Sequence, residues 1–219
     1  MVNRLLSIVL LVGLVVVCVA LVFRLKSYPL AGNQQGYEPV QPIAFSHRLH
    51  AGELEIACLY CHNGAERTRH AGIPAASVCM NCHRLVTGDS KLTTREYLRA
   101  LRTNQPPRPV VSAELQQLYD HLGLDEHHQP DPKKTRQRRA IPWVRVHRLP
   151  AYAGFDHRAH MHAGLKCQRC HGPVETMERV RQVEDLSMGW CVECHREPGL
   201  ADSAGPNAQA STDCAVCHY

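Results

Sequence analysis

Aromatic bulk is scarce in this sequence: 219 residues carry 3 Phe and 2 Trp, against 11 Cys and 15 His. A chain of this length ordinarily fills its interior with large apolar side chains, so the shortage excludes a conventional core built by the polypeptide alone. Something other than side chains is expected inside.

A second thing missing is a cleavage signal. The apolar run Leu5–Phe23, LLSIVLLVGLVVVCVALVF, is flanked by Arg4, Arg24 and Lys26 and is long enough to span a bilayer. A secretory signal would have a shorter apolar core ending in a small-x-small site, and "VVVCVALVF" offers none. A lipid-attachment signal would want Gly, Ala or Ser where Val17 precedes Cys18, so Cys18 reads as a small apolar residue on the wall of the span. The run is expected to be an uncleaved anchor. Basic residues on both flanks leave its orientation undetermined by charge.

Beyond the anchor no cysteine is left over. The remaining ten form five frames of one type: Cys58-Leu-Tyr-Cys61-His62, Cys79-Met-Asn-Cys82-His83, Cys167-Gln-Arg-Cys170-His171, Cys191-Val-Glu-Cys194-His195 and Cys214-Ala-Val-Cys217-His218. In a c-type haem site the two thiols add to the porphyrin vinyl groups, which holds the adjacent His under the iron as its proximal ligand. Zinc knuckles pair CxxC units and do not require His after each one, and disulfides leave that fifth residue equally unexplained. The pattern predicts five covalent haems c, with the segment after Lys26 outside the cytoplasm. That leaves about 40 residues per haem, too few for a separate core around each. The porphyrins become the interior, and the expected fold is mainly α with much irregular structure: a transmembrane helix followed by a multihaem domain.

Low-spin electron-transfer haems need a sixth ligand. "Phe45-Ser-His47-Arg-Leu-His50" precedes the first frame and "Phe155-Asp-His157-Arg-Ala-His160" the third, an internal repeat of FxHxxH followed by two CxxCH frames. Two His spaced i, i+3 share one side of a helical turn and can serve two irons. His70 follows the first frame much as Met177 follows the third, and a Met ligand would raise that haem's potential above its bis-His neighbours. Met177 reads equally well as an apolar face residue of a short helix, and Met188 is a weaker candidate. With His147, the set of His47, His50, His70, His147, His157, His160 and Met177 gives seven candidates for five places. His121, His127, His128 and His162 read as ordinary surface or core imidazoles. All five frames are complete, and no frame is altered to leave an iron open for substrate, so the pattern points to a wire and not to a catalytic reductase.

The chain divides into an anchor (1–27), a first module with two haems (28–90), a helical and polar insert (91–140) and a second module with three haems (141–219). Within the insert, Thr93-Thr-Arg-Glu96 reads as a capping box opening a helix to about Arg102, which "NQPPRP" ends. Ser112 is placed to cap a second helix through Leu122, with Leu115, Leu118 and Leu122 on one face and Gly123 as its stop. The polar, basic stretch DEHHQPDPKKTRQRRA reads as a solvated loop or as a docking site for a partner subunit or anionic headgroups. Nucleic acid is not expected on this side of a membrane. The formal charge of +5 shifts to about zero with five ferric haems and to about −5 when they are reduced, if all ten propionates ionise.

The phrases "FSHRLHAGELEIACLYCH", "HAGIPAASVCMNCH", "WVRVHRLPAYAGFDHRAH" and "SMGWCVECHRE" resemble the pentahaem cytochrome c subunit of alternative complex III, a bacterial quinol:electron acceptor oxidoreductase. The resemblance runs from the anchor to the last frame. It implies a single-pass subunit of the inner membrane, docked on an iron–sulfur/molybdopterin-like subunit, multi-span quinol-oxidising subunits and a monohaem cytochrome. Electrons would pass to a soluble cytochrome c or copper protein. It further implies His47, His50, His157, His160 and His147 as distal ligands, a pattern from which Met177 departs. The expected role is electron relay without catalysis by this chain alone. Competing readings are a stand-alone anchored multihaem quinol dehydrogenase, a multihaem reductase of a small oxyanion, and a structural metal protein.

Overall fold

The computed structural model describes residues 2–27, 34–125, 127–135, 138–197 and 210–218. Part of the linker after the apolar N-terminal helix, and Glu126, Arg136 and Gln137 of the basic stretch, lie outside them. Among the described residues the architecture is helical, and the only strand-like pairing is an isolated bridge between Leu124 and Pro130.

Helix α1 (Val2–Ser27) carries the apolar window Leu6–Phe23, none of it buried against the rest of the chain. By length and composition it can cross a membrane, although an N-terminal signal sequence would satisfy the same test. Past the linker, the chain alternates short helices with irregular segments: α2 (Cys58–Cys61), α3 (Ala76–His83), α4 (Ser90–Thr103), α5 (Ala113–Leu122), α6 (Pro132–Thr135), α7 (His157–His162), α8 (Gln168–His171), α9 (Met188–Arg196) and α10 (Cys214–Cys217). Each CxxC unit lies in or at the start of one of these helical turns. Spacing i, i+3 therefore sets both thiols on one side of the turn, with His immediately after.

The polypeptide core is thin, as the aromatic shortage implied. Its main apolar cluster is Ile43, Met80, Leu118, Tyr119 and Leu124, flanked by Leu115 and Leu122. The leucine stripe of α5 thus packs on α3 and fixes the insert to the first module. Tyr119 donates to the His83 carbonyl at 2.7 Å, and Ser112 N–H donates to the Thr87 carbonyl at 2.9 Å.

Helix α5 has the expected ends: Ser112 Oγ accepts from Leu115 N–H, and Gly123 closes it in the left-handed region at φ 66°. The start of α4 differs from expectation. Asp89, one turn before Thr93, caps it by accepting from Leu92 N–H at 3.0 Å. Its carboxylate meets the free amides earlier, so Ser90, Lys91 and Leu92 join the helix. Glu96 does not reach back to Thr93; it binds the Arg99 guanidinium at 2.7 Å and Arg108 N–H at 2.8 Å.

The two repeats are wound together. Gly36 N–H donates to the Gln182 carbonyl and Gln182 N–H to the Tyr37 carbonyl, joining the start of the first module to the second. Arg48 N–H donates to the Met177 carbonyl at 2.9 Å, and His157 N–H donates to the Arg69 carbonyl at 3.1 Å. Each FxHxxH turn is therefore fastened to the segment that follows the opposite repeat's first frame. Gly52 permits one of these approaches, since a Cβ there would collide with the Glu175 carbonyl.

Candidate functional site

The two FxHxxH segments share one local geometry, although the turn after His47, Arg48–Glu53, is π-helical and the one at His157 is α-helical. Phe45 stacks on His50 with centroids 4.3 Å apart and meets His47 edge-on at 4.9 Å. Phe155 does the same with His160 at 4.4 Å and His157 at 4.8 Å. Each Phe is a wedge between two imidazoles, stacked on one and edge-on to the other. The repeat contained this residue, but its function is visible only in three dimensions.

Most of these imidazoles are anchored through Nδ1. In the frames, Nδ1–H donates to a backbone carbonyl: His62 to Gly72 at 2.8 Å, His83 to Val86 at 2.7 Å, His195 to Ser211 at 2.7 Å and His218 to Tyr152 at 3.0 Å. His50, His160 and His157 donate likewise to Ser46, Asp156 and Arg69, at 2.8, 2.8 and 2.9 Å. A carbonyl on Nδ1 fixes the tautomer and leaves the Nε2 lone pair for a metal.

Pair distances follow suit. Two imidazoles binding one metal ion from opposite sides, each with a metal–nitrogen distance of about 2 Å, place their ring centroids about 6 Å apart. His50 and His83 are 6.1 Å apart, His160 and His195 are 6.1 Å apart, and His157 and His171 are 6.5 Å apart. The first two pairs occupy matching places in the two repeats. The donor set therefore fits the axial positions of c-type haems.

His171 is the exception among the frames, because its Nδ1 meets Nε2 of His147 at 3.3 Å. Burial pushes His171 down to about 4, with His147, His157 and His62 adding to the effect. Burial likewise lowers His47 to about 4, and its Nδ1 is buried without a hydrogen-bond partner. Both rings are neutral near pH 7, the form a metal requires. His70 is exposed, and Met177 is buried at the end of a short 3₁₀ turn, Val174–Thr176.

The frame cysteines are free thiols, partly buried or exposed. Burial raises Cys61, Cys79, Cys167 and Cys191, and takes Cys170 to about 11. Among the described residues no group of three His, Cys, Asp or Glu converges to hold a metal ion.

Residues 153–219 match the family of cytochrome c7 and related cytochrome c. The cytochrome c7-like stretch takes in the second FxHxxH segment and the third, fourth and fifth frames. The chain is also 36% identical, over 92 residues, to the menaquinone reductase multihaem cytochrome c subunit of Nitratidesulfovibrio vulgaris, covering 41% of each protein. It thus spans about two fifths of the length of the curated relative it matches.

Proposed function

We propose that this chain is the electron-relay subunit of a membrane quinol oxidoreductase, anchored by α1, with five c-type haems on the extracytoplasmic side. The axial geometry carries the reading: imidazoles locked through Nδ1 and facing one another across the span of a bis-His iron. On that ground His50 with His83 and His160 with His195 are two axial pairs. Bound at the frames, the haems supply reversible one-electron chemistry. The polypeptide attaches them, fixes ligand tautomers and excludes water around His47 and His171. Catalysis of quinol oxidation falls to partner subunits, in line with the resemblance to alternative complex III. Integral membrane subunits, an iron–sulfur/molybdopterin-like subunit and a monohaem cytochrome are the proposed partners, and a soluble cytochrome c or copper protein the acceptor.

One observation favours a second reading. The relative's name places it in a menaquinone reductase, so electrons would run toward the quinone. A pull-down from detergent-solubilised membranes tests complex membership: multi-span and iron–sulfur subunits are expected to co-purify, and recovery of the chain alone, still oxidising quinol, would establish the stand-alone dehydrogenase instead. Supplying the purified complex with quinol or with a reduced cytochrome separates the two directions.

A further inference from the structure

The two longer helices of the insert treat their apolar residues in opposite ways. Helix α5 buries Leu118 and Tyr119 in the main apolar cluster. Helix α4 buries Ala100 alone, while Tyr97, Leu98 and Leu101 stand 57, 44 and 62% exposed. An amphipathic helix of a globular domain ordinarily turns its apolar stripe to the core. Here the inner side is held instead by the Glu96–Arg99 pair, which is tied to the loop that follows. Glu96 accepts from Arg108 N–H at 2.8 Å, and the Arg99 guanidinium donates to the Pro106 carbonyl at 3.1 Å.

The outer side of α4 is apolar and basic at once. At about 3.6 residues per turn, Leu101 lies over Tyr97 and Leu98, and Lys91, Arg95 and Arg102 run alongside Leu98. Among the described residues these three cations have no acidic partner. An open concavity on this side is lined by Lys91, Thr94, Arg95, Leu98, Arg99 and Arg102. The chain from Ser27, the last residue of α1, to Gly36, which is bonded to Gln182, reaches at most about 30 Å when fully extended.

Resting on the anchored reading above, we propose that α4 lies on the surface of the bilayer and binds anionic phospholipid. Tyr97, Leu98 and Leu101 enter the boundary between headgroups and acyl chains, and Lys91, Arg95 and Arg102 meet the headgroup phosphates. Long basic side chains beside an apolar stripe suit that boundary, since their stems stay with the apolar side while the charged ends reach the phosphates. An acidic protein surface would also satisfy the three cations, but the short tether makes the bilayer the surface always at hand.

Photocross-linking tests this on the full-length, haem-loaded chain in bilayer discs of phosphatidylcholine, with or without phosphatidylglycerol. With Leu101→p-benzoylphenylalanine, irradiation is expected to give phospholipid adducts, read by mass, several-fold more of them when phosphatidylglycerol is present. Lys91→Gln, Arg95→Gln and Arg102→Gln are expected to lower that yield by about fivefold for each charge removed, down to the level in phosphatidylcholine alone. No lipid adduct, or a yield indifferent to both the headgroup and the three substitutions, would overturn the proposal. So would an adduct to another protein, in place of lipid, when the same chain is irradiated in its native membranes; that result would make a partner subunit the occupant. Should the first variant not fold, Tyr97→p-benzoylphenylalanine supplies a second position close in shape to the residue it replaces. Release of the unaltered chain from membranes by alkaline carbonate would instead overturn the anchored reading on which the placement stands.

Discussion

A backbone carbonyl on Nδ1 is a small feature with a large effect, because it decides which imidazole nitrogen is available and where its lone pair points. The proposed axial pairs can be broken one at a time. His50→Ala is expected to turn the haem at Cys79–His83 from low-spin to high-spin, and His160→Ala to do so at Cys191–His195, with the other haems unchanged, as read by EPR and the visible spectrum. Retention of a fully low-spin spectrum in either variant would remove that residue from the axial set. Much at this scale was legible beforehand, since CxxCH and FxHxxH are local patterns whose chemistry sits in the residues themselves. The roles of Phe45 and Phe155 were not legible, because a stacked or edge-on ring is a three-dimensional relation. Nor could spacing reveal that His147 comes to His171, 24 residues away.

At the scale of elements, the insert shows where local reading succeeds and where it slips. Ser112 and Gly123 were readable as the ends of α5, since each supplies a terminus that few other residues can. For α4 two cap signals overlapped within a single turn, and the earlier one prevailed. Asp89→Ala is therefore expected to cost about 1 kcal/mol, lowering the melting temperature by about 2–4 °C, whereas Thr93→Ala should leave it unchanged in calorimetry. Downstream, hydrogen bonds from Arg99 and then Arg108 N–H hold the Glu96 carboxyl down at about 2. A depressed carboxyl stabilises the fold above its ordinary range near 4.5, and that contribution is lost as pH falls toward 2. The melting temperature of Glu96→Gln is accordingly expected to lie below that of the unaltered protein at neutral pH. The gap should close on acidification through this window.

Over the whole molecule, the two repeats are bonded to each other across long stretches of sequence. The sequence was read as an anchor, two CxxCH-bearing repeats and an insert between them. It could not show that Arg48 is bonded to Met177 and His157 to Arg69, because such pairings join residues about a hundred positions apart. Gln182 belongs to the same unforeseen group: it is wholly buried and paired with Tyr37. The scarcity of aromatic residues did foretell the thin polypeptide interior.

That mutual fastening bears on how the protein would withstand being cut. A protease entering the basic stretch at Lys133, Lys134, Arg138 or Arg139 severs covalent continuity without touching a frame or any of the cross-repeat bonds. The two fragments are expected to separate under denaturing electrophoresis yet elute as one species, spectrum intact, from a native sizing column. That outcome would place the integrity of the fold in the mutual bonds of its halves, with the peptide between them dispensable once folding is done.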